Sequence, residues 1–85
     1  MSTTTAPAAL IAGALRDAAT CYRAGDETTA AEHVKRADWA MARHGITAEL
    51  RGQTQALGSF AHLGLMDRAA EVADTIAATT GQVYA

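Results

Sequence analysis

Three glycines, Gly25, Gly45 and Gly64, divide most of the chain into four segments, and this division constrains the fold more than any other feature. Within each segment, apolar residues recur every three or four positions, which is the spacing of one face of an α-helix. A glycine after such a segment favours a helix end, because glycine readily adopts the left-handed backbone conformation of a C-cap. No segment alternates apolar and polar residues as a half-buried strand does. The sequence therefore predicts an all-α fold with four helices in two antiparallel hairpins.

The predicted helix boundaries follow from residues with capping preferences. The first two helices are expected over residues 7–24 and 27–44, with Asp26 as the N-cap of the second. Thr47 is the expected N-cap of the third helix, and the fourth helix is expected over residues 66–81. Short turns between consecutive helices make each of them the antiparallel neighbour of the next.

Each predicted helix has an apolar stripe that is expected to face the core. Gly52 and Gly58 lie inside the third helix, where we expect them to mark points of close helix approach, with a hinge as the alternative. The four stripes are Ile11, Leu15, Ala18 and Tyr22; Ala30, Val34, Ala37 and Met41; Leu50, Thr54, Leu57 and Ala61; and Leu65, Ala69, Val72 and Ile76.

The 85 residues suffice for one domain, predicted over residues 7–81, between a disordered N-terminal tail (1–6) and a C-terminal tail (82–85). Alanine contributes 22 of the 42 apolar residues, so the helices are expected to pack closely around a thin core. Small domains with thin cores often gain stability by oligomerising, which makes a homodimer one expectation.

Charge and cysteine content indicate which class of partner and which cellular compartment to expect. The net charge is −2, whereas a dedicated nucleic-acid binder usually carries a basic excess. Cys21 is the only cysteine, so no intrachain disulfide can form and a reducing compartment is expected. The N-terminus lacks the basic region of a secretory signal, and no apolar stretch is long enough to span a bilayer. The resulting expectation is a cytoplasmic protein with no membrane partner.

The two halves of the chain repeat one pattern around their turn glycines. In each half an apolar or bulky residue lies four positions before the glycine and an alanine lies five positions after it. This pattern is carried by residues 18–37, with the sequence Tyr22-Arg-Ala-Gly25-Asp26 at the turn, and it resembles a tetratricopeptide-repeat hairpin. The resemblance implies a surface that binds a peptide or a protein. A compact four-helix bundle would produce the same pattern. The matching positions of the second half are Phe60, Gly64 and Ala69.

The sequence contains no recognisable catalytic, metal or cofactor site. The histidines, His33, His44 and His62, show neither HxxxH nor ExxH spacing, so no zinc or di-iron site is predicted. Cys21 and Ser59 fall within predicted helices and lack the context of an activated nucleophile. We therefore expect no enzymatic activity and no bound cofactor.

Trp39 is the most informative residue for function. At about 100° per residue it lies about 160° around the helix axis from Met41, away from the apolar stripe of its helix. A tryptophan framed by arginines is typical of a binding hot spot, unless it fills a second helix contact in the core. The sequence predicts a protein-binding surface, for an adaptor, an inhibitor or a self-associating regulator, with Trp39 as its apolar anchor. The other residues assigned to this surface are Lys35, Arg36 and Arg43.

An alternative hypothesis assigns the basic side chains to nucleic acid. Lys35, Arg36, Arg43 and Arg51 form a short basic cluster that a small transcriptional regulator could use to bind phosphates. Acidic residues interrupt the cluster, so its electrostatic field is expected to be modest. A protein partner is therefore the favoured hypothesis.

Overall fold

A computed structural model describes residues 7–46 and 48–83 of the chain. Within these ranges the chain forms four α-helices and no strand. The predicted all-α fold with four helices is confirmed. The helices are α1 (Pro7–Arg23), α2 (Glu27–Arg43), α3 (Ala48–His62) and α4 (Met66–Val83).

The helix boundaries agree closely with the predicted ones, except at the end of α4. This helix continues through Val83, so residues 82–83, which we predicted to belong to the C-terminal tail, are helical. The predicted N-terminal tail (1–6), the last two residues of the chain (84–85) and the predicted cap Thr47 lie outside the described residues.

The four helices pack as a closed ring. Helix α1 makes its most extensive contacts with α4 and α2, and α3 packs against α2 and α4 less extensively. In an open solenoid of two hairpins the first and last helices would be kept apart, because each helix packs only on its neighbours in the stack. The contact between α1 and α4 instead closes a four-helix bundle.

The core is built mainly from alanines, with a few large side chains between them. The largest side chains that are completely buried include Tyr22, Leu15 and Met41. Alanine faces allow helix axes to approach closely, which explains why α1 and α4 are in such extensive contact. The buried alanines of these two helices are Ala8, Ala12, Ala14, Ala18 and Ala19 in α1 and Ala69, Ala70, Ala73 and Ala77 in α4.

The predicted apolar stripes are confirmed for most positions. Every predicted core residue of α1 and α3 is buried. Val34 and Val72 are only partly buried and pack against the edge of the core. Leu65 was predicted to face the core and this prediction is wrong, because Leu65 precedes the first turn of α4 and is 48 % exposed.

All three turns end their helices in the same way, with a glycine in the left-handed conformation. The φ angles are 78° at Gly25, 69° at Gly45 and 80° at Gly64. In the first turn the Asp26 N–H donates to the Cys21 carbonyl (2.8 Å) and the Gly25 N–H to the Tyr22 carbonyl (3.0 Å), which is a Schellman motif. The same bonds recur after α2 and α3, so the repeated glycine pattern reflects helix capping.

Helix α2 has a side-chain N-cap, as predicted. The Asp26 carboxylate accepts a hydrogen bond from the Thr29 N–H (3.1 Å). Hydrogen bonds from the Thr29 side chain and backbone lower the pKa of Asp26 below its ordinary value. Leu65 occupies the corresponding position before α4 and has no side-chain acceptor for such a bond.

The expected close helix approach at Gly52 and Gly58 is wrong. A Cβ atom built at either glycine meets no heavy atom within 4 Å outside its own helix backbone. Both glycines are exposed, and Gly58 lines a shallow depression between α2 and α3. They therefore lower the helix propensity of α3 without allowing a tighter contact.

Candidate protein interface

Trp39 lies on the outer face of α2, where 62 % of its surface is exposed. Ala37 and Met41 belong to the same helix and are completely buried. The difference follows from helix geometry, because Trp39 points about 160° away from Met41 at about 100° per residue. Trp39 therefore belongs to the surface and does not fill a helix contact in the core.

A shallow groove with a volume of about 370 Å³ lies between α1 and α2 beside Trp39. We call it the α1–α2 groove. Leu10, on the α1 side, is 55 % exposed, so two large apolar side chains of the described residues line one concave surface. The complete lining is Ala9, Leu10, Gly13, Ala14 and Asp17 from α1 and Arg36, Trp39 and Ala40 from α2.

Gly13 leaves open space in this groove. A Cβ built at Gly13 meets no heavy atom within 4 Å outside its own helix backbone, so α1 has no side chain of its own there. Ala9 and Ala14 beside it are also small. The α1 side of the groove thus offers a low surface next to Leu10, on which a flat side chain from another molecule could lie.

Arg43 stacks on Trp39. The centre of its guanidinium lies over the indole ring, 5.1 Å from the ring centroid. A cation–π contact at an exposed site contributes about 0.5–1 kcal/mol. The contact covers part of the indole ring.

The two edges of the groove carry opposite charges. Asp17 on α1 and Arg36 on α2 are both exposed, and they form no ion pair with each other. The ion pairs within the described part of the chain are Arg23–Asp74, Arg51–Asp38 and Arg68–Glu71. The charges of Asp17 and Arg36 are therefore available to a partner.

The structure brings three of the four predicted interface residues together and separates the fourth. Trp39 and Arg36 line the α1–α2 groove, and Arg43 stacks on Trp39. Lys35 lies on a neighbouring part of α2, where it lines shallow depressions with residues such as Glu32. It is exposed, but it does not line the groove.

Arg51, from the alternative nucleic-acid hypothesis, has a structural contact. Its Nε donates to the Asp38 carboxylate (3.3 Å), and the same carboxylate accepts from the Gln55 amide (3.3 Å). These bonds connect α2 to α3. The four basic residues of that hypothesis therefore do not form one continuous patch of unpaired cations.

Sequence reasoning missed Leu10 and Gly13. A signal for Leu10 was present, because this large apolar residue lies off the Ile11–Leu15 stripe that faces the core. The significance of Gly13 could be seen only after α1 and α2 had been placed side by side. Leu63, 71 % exposed at the turn before α4, was also not predicted to be on the surface.

The described residues show no arrangement for metal binding. No group of three or more His, Cys, Asp or Glu side chains in this part of the chain could hold a metal ion. Cys21 is partly buried and packs against the core. Of the described helices, none combines the length and the apolar character needed to cross a membrane.

No protein-family model, curated protein or solved structure matches this chain at a significant level.

Proposed function

We propose that this chain is a protein-interaction module that binds its partner through the α1–α2 groove. Trp39 and Leu10 serve as apolar anchors, and Arg36 and Arg43 orient the partner. The module has no catalytic role and needs no cofactor. The exposure of two large apolar side chains beside one groove is the observation that carries the proposal.

The energetic argument is that a folded domain gains little by leaving a tryptophan in water. Burying a large apolar side chain contributes about 1.5–3 kcal/mol. Contiguous apolar patches with polar edges are typical of interaction sites, and tryptophan and arginine are enriched among hot-spot residues. The α1–α2 groove combines both features, because Leu10 and Trp39 line it together with the charged Asp17 and Arg36.

A nucleic-acid partner is supported less well. The chain has a net charge of −2, and Arg51 is paired with Asp38. Arg43 covers the Trp39 ring. Phosphate binding requires several unpaired cations on one surface. An affinity for nucleic acid that depends on such contacts also falls steeply as the salt concentration rises.

We further propose that the module acts in the cytoplasm. Cys21 supports this, because a lone, partly buried thiol stays reduced there without a partner.

Site-specific photocrosslinking in the organism of origin tests the proposed function. A photoreactive benzoylphenylalanine is placed at position 10, in the groove, and in a second experiment at position 63, which lies at a turn and is more exposed (71 % against 55 %). We expect a covalent adduct of one defined mass from position 10, identified by mass spectrometry. The substitution Gly13→Leu should abolish this adduct, because its side chain fills the open space of the groove.

Two outcomes would contradict the proposed function. One is the absence of any adduct from position 10. The other is the same set of adducts from positions 10 and 63, which would mean that the groove has no selectivity. The matched control is Gly52→Leu, an identical change at an exposed helical glycine outside the groove, and it should leave the adduct unchanged.

A further inference from the structure

We propose that the partner in the α1–α2 groove is a second copy of this chain, bound as a symmetric dimer. The inference rests on the proposed function and adds the identity of the partner. A twofold axis lies in the interface, parallel to the helices, so that α1 of each copy packs on α2 of the other. Such an interface uses the same surface twice, and this surface must therefore be complementary to itself.

The apolar residues of the groove meet this requirement. Leu10 and Trp39 lie at nearly equal distances along the chain from Gly25, so the antiparallel hairpin holds them at almost the same level. Rotation about an axis parallel to the helices preserves that level. Leu10 then contacts the partner's Trp39 and Trp39 contacts the partner's Leu10, which buries the exposed apolar side chains of both grooves.

The charged residues of the groove are also complementary to their own copies in the partner. Asp17 and Arg36 lie within about one helical turn of the same level, on opposite edges of the groove. The same rotation brings Asp17 towards the partner's Arg36, and this contact occurs twice in the dimer. Neither residue pairs with the other inside one chain, so dimerisation breaks no existing ion pair between them.

Gly13 provides the space for this arrangement. The position of a Cβ at Gly13 is free of other atoms, and the neighbouring Ala9 is exposed and small. Small residues on a helix surface allow a second helix to approach closely. Gly13 therefore leaves space in which the partner's indole can lie against α1.

The size of the surface suits a weak dimer. Helices α1 and α2 have 17 residues each, so each is about 25 Å long, and the pair is about 20 Å wide. The face therefore measures on the order of 500 Å² per chain and about 1,000 Å² in the dimer, near the lower limit of specific interfaces. We expect a dissociation constant in the micromolar range.

Charge reversal with rescue tests the proposed dimer. The mass of the purified full chain is measured by analytical ultracentrifugation at about 1–500 μM, with wild type, Asp17→Arg, Arg36→Asp and the double variant. We expect each single variant to dissociate at least about tenfold more readily, because like charges then face each other twice. The double variant should return to the dissociation constant of the wild type, since opposite charges face each other again.

Control variants separate this result from a loss of folding. Gly13→Leu should give a monomer with undiminished helical circular dichroism, and Gly52→Leu should remain a dimer. A wild type that is monomeric up to 500 μM overturns the proposed dimer, and so does a double variant that fails to recover. If the wild type is monomeric but position 10 still crosslinks to a different protein, the dimer fails while the proposed function stands.

Discussion

The two sides of α1 differ sharply in how they are used. Its core side is rich in alanines, and the residues there are almost completely buried. Towards the outer edge of α2, the same helix exposes Leu10 beside Trp39 and leaves open space at Gly13. A core that relies on alanine brings helices close together and has little room for large side chains. Leu10 and Trp39 therefore lie outside this core, where they form an exposed apolar surface beside one groove.

The largest expected effect tests the core-facing side of α1. Leu15 is completely buried, and Leu15→Ala should lower the free energy of unfolding by about 2–5 kcal/mol, because it removes apolar contacts and leaves a cavity. Urea unfolding followed by circular dichroism measures the change. In a small domain this loss is a large part of the total stability. An effect below about 1 kcal/mol would mean that α1 is not held by its core face.

A leucine added in the core and a leucine added in the groove should have opposite effects on stability. Ala73→Leu overfills the core near α4 and should cost about 1–3 kcal/mol. Gly13→Leu fills open space and should raise the stability of the monomer by about 0.5–1 kcal/mol, because leucine favours the helix more than glycine does. Both are measured by urea unfolding at concentrations where the chain is monomeric. Equal losses at the two positions would show that the groove is as tightly packed as the core.

Alkaline pH tests the core-facing side of α1 without changing the volume of any side chain. Burial raises the pKa of Tyr22 above its ordinary value of about 10, and the nearby Glu27 carboxylate raises it further. A raised pKa means that the folded chain favours the protonated phenol. This stability is fully present below the pKa of the unfolded chain and is lost as pH rises towards the folded value. The urea midpoint of the wild type should therefore decrease as the pH is raised from 9 to 11, and it should decrease less in Tyr22→Phe. An equal decrease in Tyr22→Phe would mean that other groups cause the effect.

The smallest expected effect compares the two turns that precede α2 and α4. Both turns share the same backbone hydrogen bonds, but Asp26 caps α2 whereas Leu65 leaves α4 without a side-chain cap. Leu65→Asp should stabilise the fold by about 0.5–1 kcal/mol, because it supplies an acceptor for the N–H groups at the start of α4. Thermal unfolding checks the gain. An unchanged melting temperature would show that the first turn of α4 needs no cap.

The fold could largely be predicted because its rules are local. Gly25, Gly45 and Gly64 mark helix ends through their own backbone conformation, and helical spacing identifies most core residues. Leu65 was misassigned because spacing alone cannot tell the residue before a helix from the first residue inside it. The position of Trp39 on the surface followed from the same helical geometry, although sequence left a core contact open.

The groove could be predicted only in part, because it depends on two helices at once. Arg36, Trp39 and Arg43 belong to one face of α2 and were assigned together from their spacing. Leu10, Gly13 and Asp17 come from α1, and their place beside Trp39 depends on how the two helices are rotated against each other. The spacing of residues within one helix does not determine how that helix is rotated against its neighbour. The separation of Lys35 from the groove has the same origin.

The most direct test of the central claim is the emission of Trp39, the only tryptophan, in a dilution series of the wild-type chain with its mass measured on the same samples. We predict a dimer with blue-shifted emission at high concentration and a monomer with red-shifted emission on dilution, at constant helical circular dichroism. Red-shifted emission from a monomer at every concentration would contradict the dimer. Blue-shifted emission from a monomer would contradict the account itself, because Trp39 would then be part of the core.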